Sequence, residues 1–364
     1  MSTVKSLERQ RLVETMAEKS PILITGAGGQ VGAVSPLIIQ NLRHRGYPIR
    51  AFVRKDDARA QAMRDLGAEI FVGDLLNSYD VFEAVKGCRR VYFSMSLSPY
   101  YTSAAILLAA ALKKQGGTEL LLDMSQQLVA HLEIDQIRLD KTVPPPADAT
   151  DRHGSAAVEW SVQERAHWTT ERALEWSGLP VKHAQAAIFV ENPIYSRFIA
   201  ADLHRGELPL PLGQQMIALI TAQDSADACA NILAEPAAHP KTGFVLTGPR
   251  ALDGNELAEE YSAGLNRPIR YVPYELDDWN KKYIDPYLSI TGRHTNEHLK
   301  HLNWLASTGQ YNVATGELEQ VIGRPGQTVT EAIEQRPEIF HTYGASFTAA
   351  RPGRTSVETP QGAF

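Results

Sequence analysis

The sequence predicts an α/β protein: a doubly wound parallel sheet with a smaller mixed α/β domain towards the C-terminal side. Three observations carry this prediction. The apolar run Ile22-Leu23-Ile24 leads straight into a glycine-rich turn, Thr25-Gly26-Ala27-Gly28-Gly29-Gln30-Val31-Gly32. Helix-like and strand-like segments then alternate to about residue 246, the pattern of repeated βαβ units rather than of hairpins. Beyond residue 250 that alternation gives way to helices mixed with short extended pieces.

Taken in order, each element has a sequence reason. Gly26 permits a tight turn after the first strand, Gly29 lets backbone approach a pyrophosphate, and Gly32 lets the following helix lie close on the strand. The helix, residues 31–44, aims its first amides at the phosphates. Gly28, Gln30 and Val31 complete this cradle. A second strand, Ile49–Val53, closes a βαβ unit of the size expected of a Rossmann dinucleotide site. It ends in Arg54-Lys55 rather than in an acidic residue, which suits the 2′-phosphate of NADP better than the free ribose of NAD. Residues 68–72 form a third strand, and Asp74 and Leu75 at its carboxyl end are adenine-side candidates; Asp74 equally suits a helix N-cap.

The alternation continues through a helix over 78–86, a strand over 90–94, a helix over 102–115 and a strand over 119–124. Residues 126–165 break it: Pro144-Pro145-Pro146, many charges, His131 and His153 read as a long excursion over the strand ends. A helix over 162–176 follows, stopped by Gly178 and Pro180. A strand over 181–190 returns to the sheet, residues 191–215 leave it, and a strand over 216–220 with a helix over 225–234 rejoins it. The last strand is 242–246. The expected organisation is an arm over 1–20 and a dinucleotide-binding domain over 21–190, completed by 216–249. A substrate domain takes 191–215 and 250–345, and a tail rich in Pro, Gly, Thr and Ser takes 346–364.

Composition narrows the function. A net charge of −6 with scattered basic residues argues against a nucleic-acid surface. The longest apolar run, 104–112, is too short to span a membrane. Cys88 and Cys229 sit far apart in apolar contexts, which suggests buried thiols in a reducing compartment, the cytoplasm. No Cys/His spacing suggests a metal, and His131 with His153 lacks flanking ligands. The expected partner is a small molecule, with a homodimer left open.

Several segments, Ile24–Gly32, Val53–Lys55, Val72–Leu75, His167–Pro180, Ile188–Pro193 and Leu246–Pro249, together resemble the NmrA-like proteins, a branch of the atypical short-chain dehydrogenases. The resemblance covers about residues 20–275. It implies a Rossmann domain binding NADP(H) or NAD(H), with a smaller domain closing over the nicotinamide. That family is split between reductases and redox-sensing regulators, so the site must decide. It also implies site positions. Ser94, Met95 and Ser96 leave the fourth strand beside the nicotinamide ribose. Met124 and Ser125 end the fifth, with Gln126 as an amide donor to substrate. Phe189 and Asn192 follow the sixth, beside nicotinamide and substrate. The Tyr-x-x-x-Lys pair of short-chain dehydrogenases has no counterpart near residues 162–176, and Ala166 or His167 takes the place of a lysine used by reductases of the branch. His167 is therefore the candidate donor to ribose or substrate oxygen, with Glu171 one turn on to orient it. Ser125, Tyr100 and Tyr101 are further catalytic candidates, and His153 a substrate-side one. Relatives commonly carry Arg-Pro where this chain has Gln185-Ala186.

The expected function is an NADP(H)-dependent oxidoreductase passing hydride between nicotinamide and a small apolar carbonyl, enone or quinone-like compound. The alternatives are a non-catalytic redox-sensing regulator that binds a partner protein, and a non-redox isomerase or lyase.

Overall fold

Successive side chains of an extended strand point to opposite faces, so Ile22 and Ile24 of β1 (Ile22–Ile24) enter one core while Leu23 enters another. The same split recurs across the sheet and makes it a three-layer structure. The computed structural model describes residues 20–27, 34–134 and 161–341. Gly28, Gly29, Gln30, Val31, Gly32, His153, most of the expected arm and the expected tail lie outside the described residues.

Seven parallel strands form the sheet in the order β3-β2-β1-β4-β5-β6-β8. They are β2 (Ile49–Val53), β3 (Glu69–Val72), β4 (Arg90–Phe93), β5 (Leu120–Gln126), β6 (Val181–Ala186) and β8 (Gly243–Leu246), together with β1. One face packs against the helices Val34–His44 and Ala222–Ala234, the other against Ser78–Val85, Tyr101–Gln115 and Val162–Trp176. Side-chain oxygens start the helices as the sequence suggests: Ser161 accepts from the Glu164 amide and Thr221 from that of Asp224. A third apolar core gathers residues 188–219 and 252–340 around the buried Trp279, beside the short pair β7 (Glu207–Leu210) and β9 (Arg270–Pro273).

The strand order reverses between β1 and β4, and a parallel sheet opens its ligand crevice at such a point, beyond the strand carboxyl ends. Here the two ends are clamped. The Thr25 hydroxyl donates to the Ser94 carbonyl (2.8 Å) and accepts from the Ser94 amide (2.9 Å), so the chain leaves both strands in a fixed direction. Gly26 follows with φ 69°, and a Cβ there would stand 2.8 Å from the Ser94 carbonyl oxygen.

Three expectations need correction. β6 ends at Ala186 rather than at Val190, because the chain swings out of the ladder and Phe189 pairs alone with Ile220. Residues 216–220 form no strand. Ile217 exchanges hydrogen bonds with Leu252, Ala218 donates to Tyr311 and Ile220 to Ile188, so the segment ties three partners together without running along any of them. The helix Glu317–Ile322, expected in the substrate domain, packs Leu318 and Val321 into the core that holds Ala222–Ala234, and Asn231 Nδ2 donates to the Val321 carbonyl.

The turn after β8 gives a stability prediction. A Cβ on Gly248 would lie 1.9 Å from the Leu219 carbonyl oxygen, a backbone atom that cannot rotate away. Gly248→Ala should therefore destabilise the chain by about 2–3 kcal/mol through overpacking. Thermal unfolding within 1 °C of the parent would show that the Leu219 segment is not held there.

Candidate active site

A cavity of about 480 Å³ opens over the carboxyl ends of the central strands. Most expected cofactor residues that fall among the described ones meet on it. Gly26 and Arg54 line one part, Ser94, Met95 and Ser96 the floor after β4, and Met124, Ser125, His167 and Phe189 the far side. Gln126, Asn192 and Tyr101 line it too. Other expectations fail on position. Tyr100 is 58% exposed and lies off the cavity, because the helix Tyr101–Gln115 begins by turning Tyr101, not Tyr100, inward. Lys55 is exposed and outside the lining, as is Asp74, and half-buried Leu75 packs under the sheet. Asn77 caps the following helix, while Asp74 accepts from the Leu76 amide in a local turn. His131 is exposed.

His167 is 6% exposed, and its imidazole packs 4.4 Å from the Tyr101 ring. Its Nε2 lies 3.0 Å from Gln163 Nε2, and its Nδ1 has no hydrogen-bond partner among the described residues. The expected support from Glu171 is absent. Helical side chains lean towards the N-terminus, so His167 reaches the residue four before it rather than the one four after. Glu171 instead accepts from Gln185 Nε2 at 3.0 and 3.1 Å. That explains Gln185 at the Arg-Pro position: its amide satisfies a buried carboxylate from the helix above.

Burial sets the protonation of the site. Desolvation pushes His167 down to about 4, with Asp123 opposing, so the ring is neutral at pH 7. It holds Glu164, fully buried, up to about 8. His298 is lowered further, by burial and by His167, His301 and His294. Tyr101 is driven well above 10, and its hydroxyl donates to the Met124 carbonyl (2.8 Å), so its proton is committed to backbone and does not serve a substrate.

Gln126 is likewise committed. Its side-chain amide faces the Glu164 carboxyl at one end, 2.8 Å from Oε2, and His298 Nε2 at the other (3.3 Å), which removes it as a free substrate donor. Ser161 Oγ lies 3.0 Å from His298 Nδ1 and completes the network. Ser125, 2% exposed, differs: it belongs to the cavity lining, and its Oγ closes no hydrogen bond of standard geometry, though it faces the buried Glu171 carboxyl and helps hold that group down. Asn192 accepts from the Ile194 amide through Oδ1.

Sequence reasoning missed two sets of lining residues. Arg59 joins Arg54 at the β2 end, held by Asp57 through bonds of 3.1–3.2 Å; the signal was a second arginine in the first turn of the next helix. Leu299, Leu302, His298 and Tyr311 come from the helix Leu288–Ser307 and beyond, where spacing of three to four residues marks an inward stripe. Among the described residues Asp123, Glu171 and His183 form one compact group of possible metal ligands, within 4.8 Å of one another. Two of them are already paired, Asp123 Oδ2 standing 3.1 Å from His183 Nδ1.

These residues fit a dinucleotide carrying a 2′-phosphate. The glycine backbone approach sits at the strand switch, and two arginines stand at the β2 end. Three lining residues, Tyr92, Ser125 and His167, carry a buried polar atom that closes no hydrogen bond of standard geometry among the described residues. The comparisons agree. The family described as NAD(P)H-binding matches residues 26–236, more than half of the chain. An NAD(P)H azoreductase of Xenophilus azovorans is 26% identical over 325 residues, 88% of this chain and 99% of that protein. The structure is similar to that of a Citrobacter triphenylmethane reductase complexed with NADP(H), with a TM-score of 0.66 at 18% identity over 86% of this chain and 99% of that one. It is also similar to an NADPH-dependent quinone oxidoreductase of Escherichia coli complexed with NADPH, with a TM-score of 0.65 at 21% identity and the same coverages. Among the described residues no helix is long and apolar enough to cross a membrane.

The buried acid gives a pH prediction. Folded Glu164 keeps its proton to about pH 8, whereas the unfolded carboxyl loses it near 4.5, so stability falls as pH rises between those values. His167 acts oppositely and lower: unfolded it binds a proton below 6.5, folded only below about 4, so stability falls as pH drops through that window. From pH 6.5 to 8 the Glu164 effect outlasts that of His167. The wild type should lose about 1–2 kcal/mol more than Glu164→Gln across that interval in denaturant titrations. Parallel pH curves for the two would mean Glu164 is ionised in the fold.

Proposed function

The chain belongs to the NAD(P)H-binding family, with NmrA-like architecture, and we propose that it is an NADPH-dependent oxidoreductase reducing a small apolar acceptor: a quinone, an enone or carbonyl, or an azo compound. One observation carries the reading. Ser125 and His167, both buried polar residues, line the same cavity as Arg54 and the Gly26 turn, and His167 Nδ1 has no partner among the described residues. Beside them stands an apolar wall of Phe198, Leu299 and Leu302, suited to a flat hydrophobic substrate.

When bound, NADPH supplies a hydride from its nicotinamide ring, and a proton completes the two-electron reduction. Arg54 and Arg59 hold the 2′-phosphate end at the edge of β2. Ser125 and the neutral His167 offer hydrogen bonds to the ribose and to the substrate atom on which charge develops. A neutral imidazole with a folded pKa near 4 serves as a hydrogen-bond donor, not as the source of the proton, so that proton comes from water. The apolar wall excludes other water from the reacting face.

Two variants and a screen test this. Arg54→Ala should weaken NADPH binding about tenfold or more, the loss of a contact worth roughly 1.5–3 kcal/mol, and touch NADH far less; equal losses would move the 2′-phosphate elsewhere. With NADPH in excess, quinones, enones and azo compounds should each be tried for cofactor oxidation. His167→Ala should lower turnover on the best acceptor on the order of 10²-fold. Tight NADPH binding with no turnover on any acceptor would favour the redox-sensing alternative.

A further inference from the structure

Gln163 lies one turn before His167 on the same helix and is fully buried. The Ser98 backbone amide points at its Oε1 (3.1 Å), and His294 Nε2 lies 2.8 Å from the same oxygen. A backbone N–H can only donate. The Gln163 atom facing it is therefore the oxygen, and the side-chain orientation follows without choice. The remaining atom, Nε2, can also only donate, and it stands 3.0 Å from His167 Nε2. That ring nitrogen must then present its lone pair.

We propose that Gln163 is a positioning residue that fixes the tautomer of His167, so that the proton sits on Nδ1, the ring nitrogen without a partner among the described residues. The proposal rests on the reading of this cavity as a hydride-transfer site. The lock is built from three separate segments. Ser98 follows β4, Gln163 belongs to the helix Val162–Trp176, and His294 belongs to the C-terminal helix Leu288–Ser307 just after its break at Gly292. The Tyr101 ring, its centroid 4.4 Å away and tilted 55° to the imidazole, packs against it and resists rotation of the ring. A free histidine side chain favours the proton on Nε2, so the observed arrangement selects the less common form, and it does so through an amide that cannot titrate. A lysine donates whichever way it points. A histidine donates only from the nitrogen its surroundings leave protonated, so this chain needs Gln163 where a lysine-bearing relative needs no counterpart.

The test uses the full chain with ¹⁵N-labelled histidine, read by long-range proton–nitrogen correlation, with the His167 signals identified by their loss in His167→Gln. Wild type should show the Nδ1-protonated pattern. Gln163→Glu puts an acceptor opposite Nε2 and should move the proton there. Gln163→Met removes the hydrogen bond at similar volume and should give a mixture. Turnover of NADPH should fall 10- to 100-fold in both variants with little change in KM for NADPH. Gln163→Glu should also add a pH limb near neutrality that wild type lacks. The groups facing the ring that bear on that limb are Asp123 on β5, Tyr101, and His294 and His298 on the C-terminal helix. An Nε2-protonated His167 in wild type, or an unmoved proton in Gln163→Glu, would overturn the proposal. The expected tautomers with undiminished turnover would leave the lock standing and remove His167 from the catalytic reading.

Discussion

The Thr25–Ser94 clamp is the contact on which the site depends. Parallel strands leave their crevice where neighbouring chains turn opposite ways, and a crevice is useful only if both exits are held open at fixed angles. A single buried hydroxyl does this by donating to and accepting from the same residue of the next strand. Gly26 then follows at positive φ, close enough to the Ser94 carbonyl that no side chain fits between. The cavity floor, the cationic end at β2 and the helix bearing His167 are all referred to that junction. Weakening it would not abolish the sheet, which has five other strand pairings, but would blur the geometry of what binds above it.

The second lobe contributes differently. It buries polar groups of the first rather than adding catalytic ones. His294 and His298 from the C-terminal helix close hydrogen bonds on Gln163, Gln126 and Ser161, and the apolar residues between them seal the wall. Sealing is what drives His167 and His298 neutral and lets Glu164 keep its proton. A buried network of amides and neutral imidazoles has no net charge to desolvate, and satisfying each member costs less than burying an ion. Among the buried atoms left over, Tyr92 Oη, Ser125 Oγ and His167 Nδ1 belong to residues that line the cavity.

The fold was legible because its signals are local. Periodicity and glycine turns place every strand of the main sheet within a few residues, and the helix bounds 162–176 match the structure. What escaped depends on contacts distant in sequence. Residues 216–220 are apolar and extended, as a strand should be, yet they divide their hydrogen bonds among Ile188, Leu252 and Tyr311, none of them a sequence neighbour. The cavity residues followed the same rule. Gly26, Arg54, Ser125 and His167 stand at strand ends or a helix start and could be read from position alone. The committed states of Gln126 and Tyr101 could not, since their partners, Glu164, His298 and the Met124 carbonyl, are matters of packing.

Glu171 shows how a departure from a family pattern can be absorbed. An arginine at position 185 would pair with a buried carboxylate as an ion. Gln185 meets Glu171 with an amide, and the part-exposed Arg172 reaches Glu171 Oε2 at 3.2 Å, so the helix remains anchored to β6 without a fully buried guanidinium. Burial raises Glu171, while His183 and the side chains of Ser125 and Gln185 draw it part of the way back down. His183 itself would be lowered by burial but is raised by its Asp123 hydrogen bond and by Glu171 and Glu175. Glu171, Asp123 and His183 thus form a buried polar group whose ligand atoms lie within 4.8 Å of one another, with Asp123 Oδ2 3.1 Å from His183 Nδ1. His167, neutral and oriented by the Gln163 amide, supplies a hydrogen bond without adding a charge to the site.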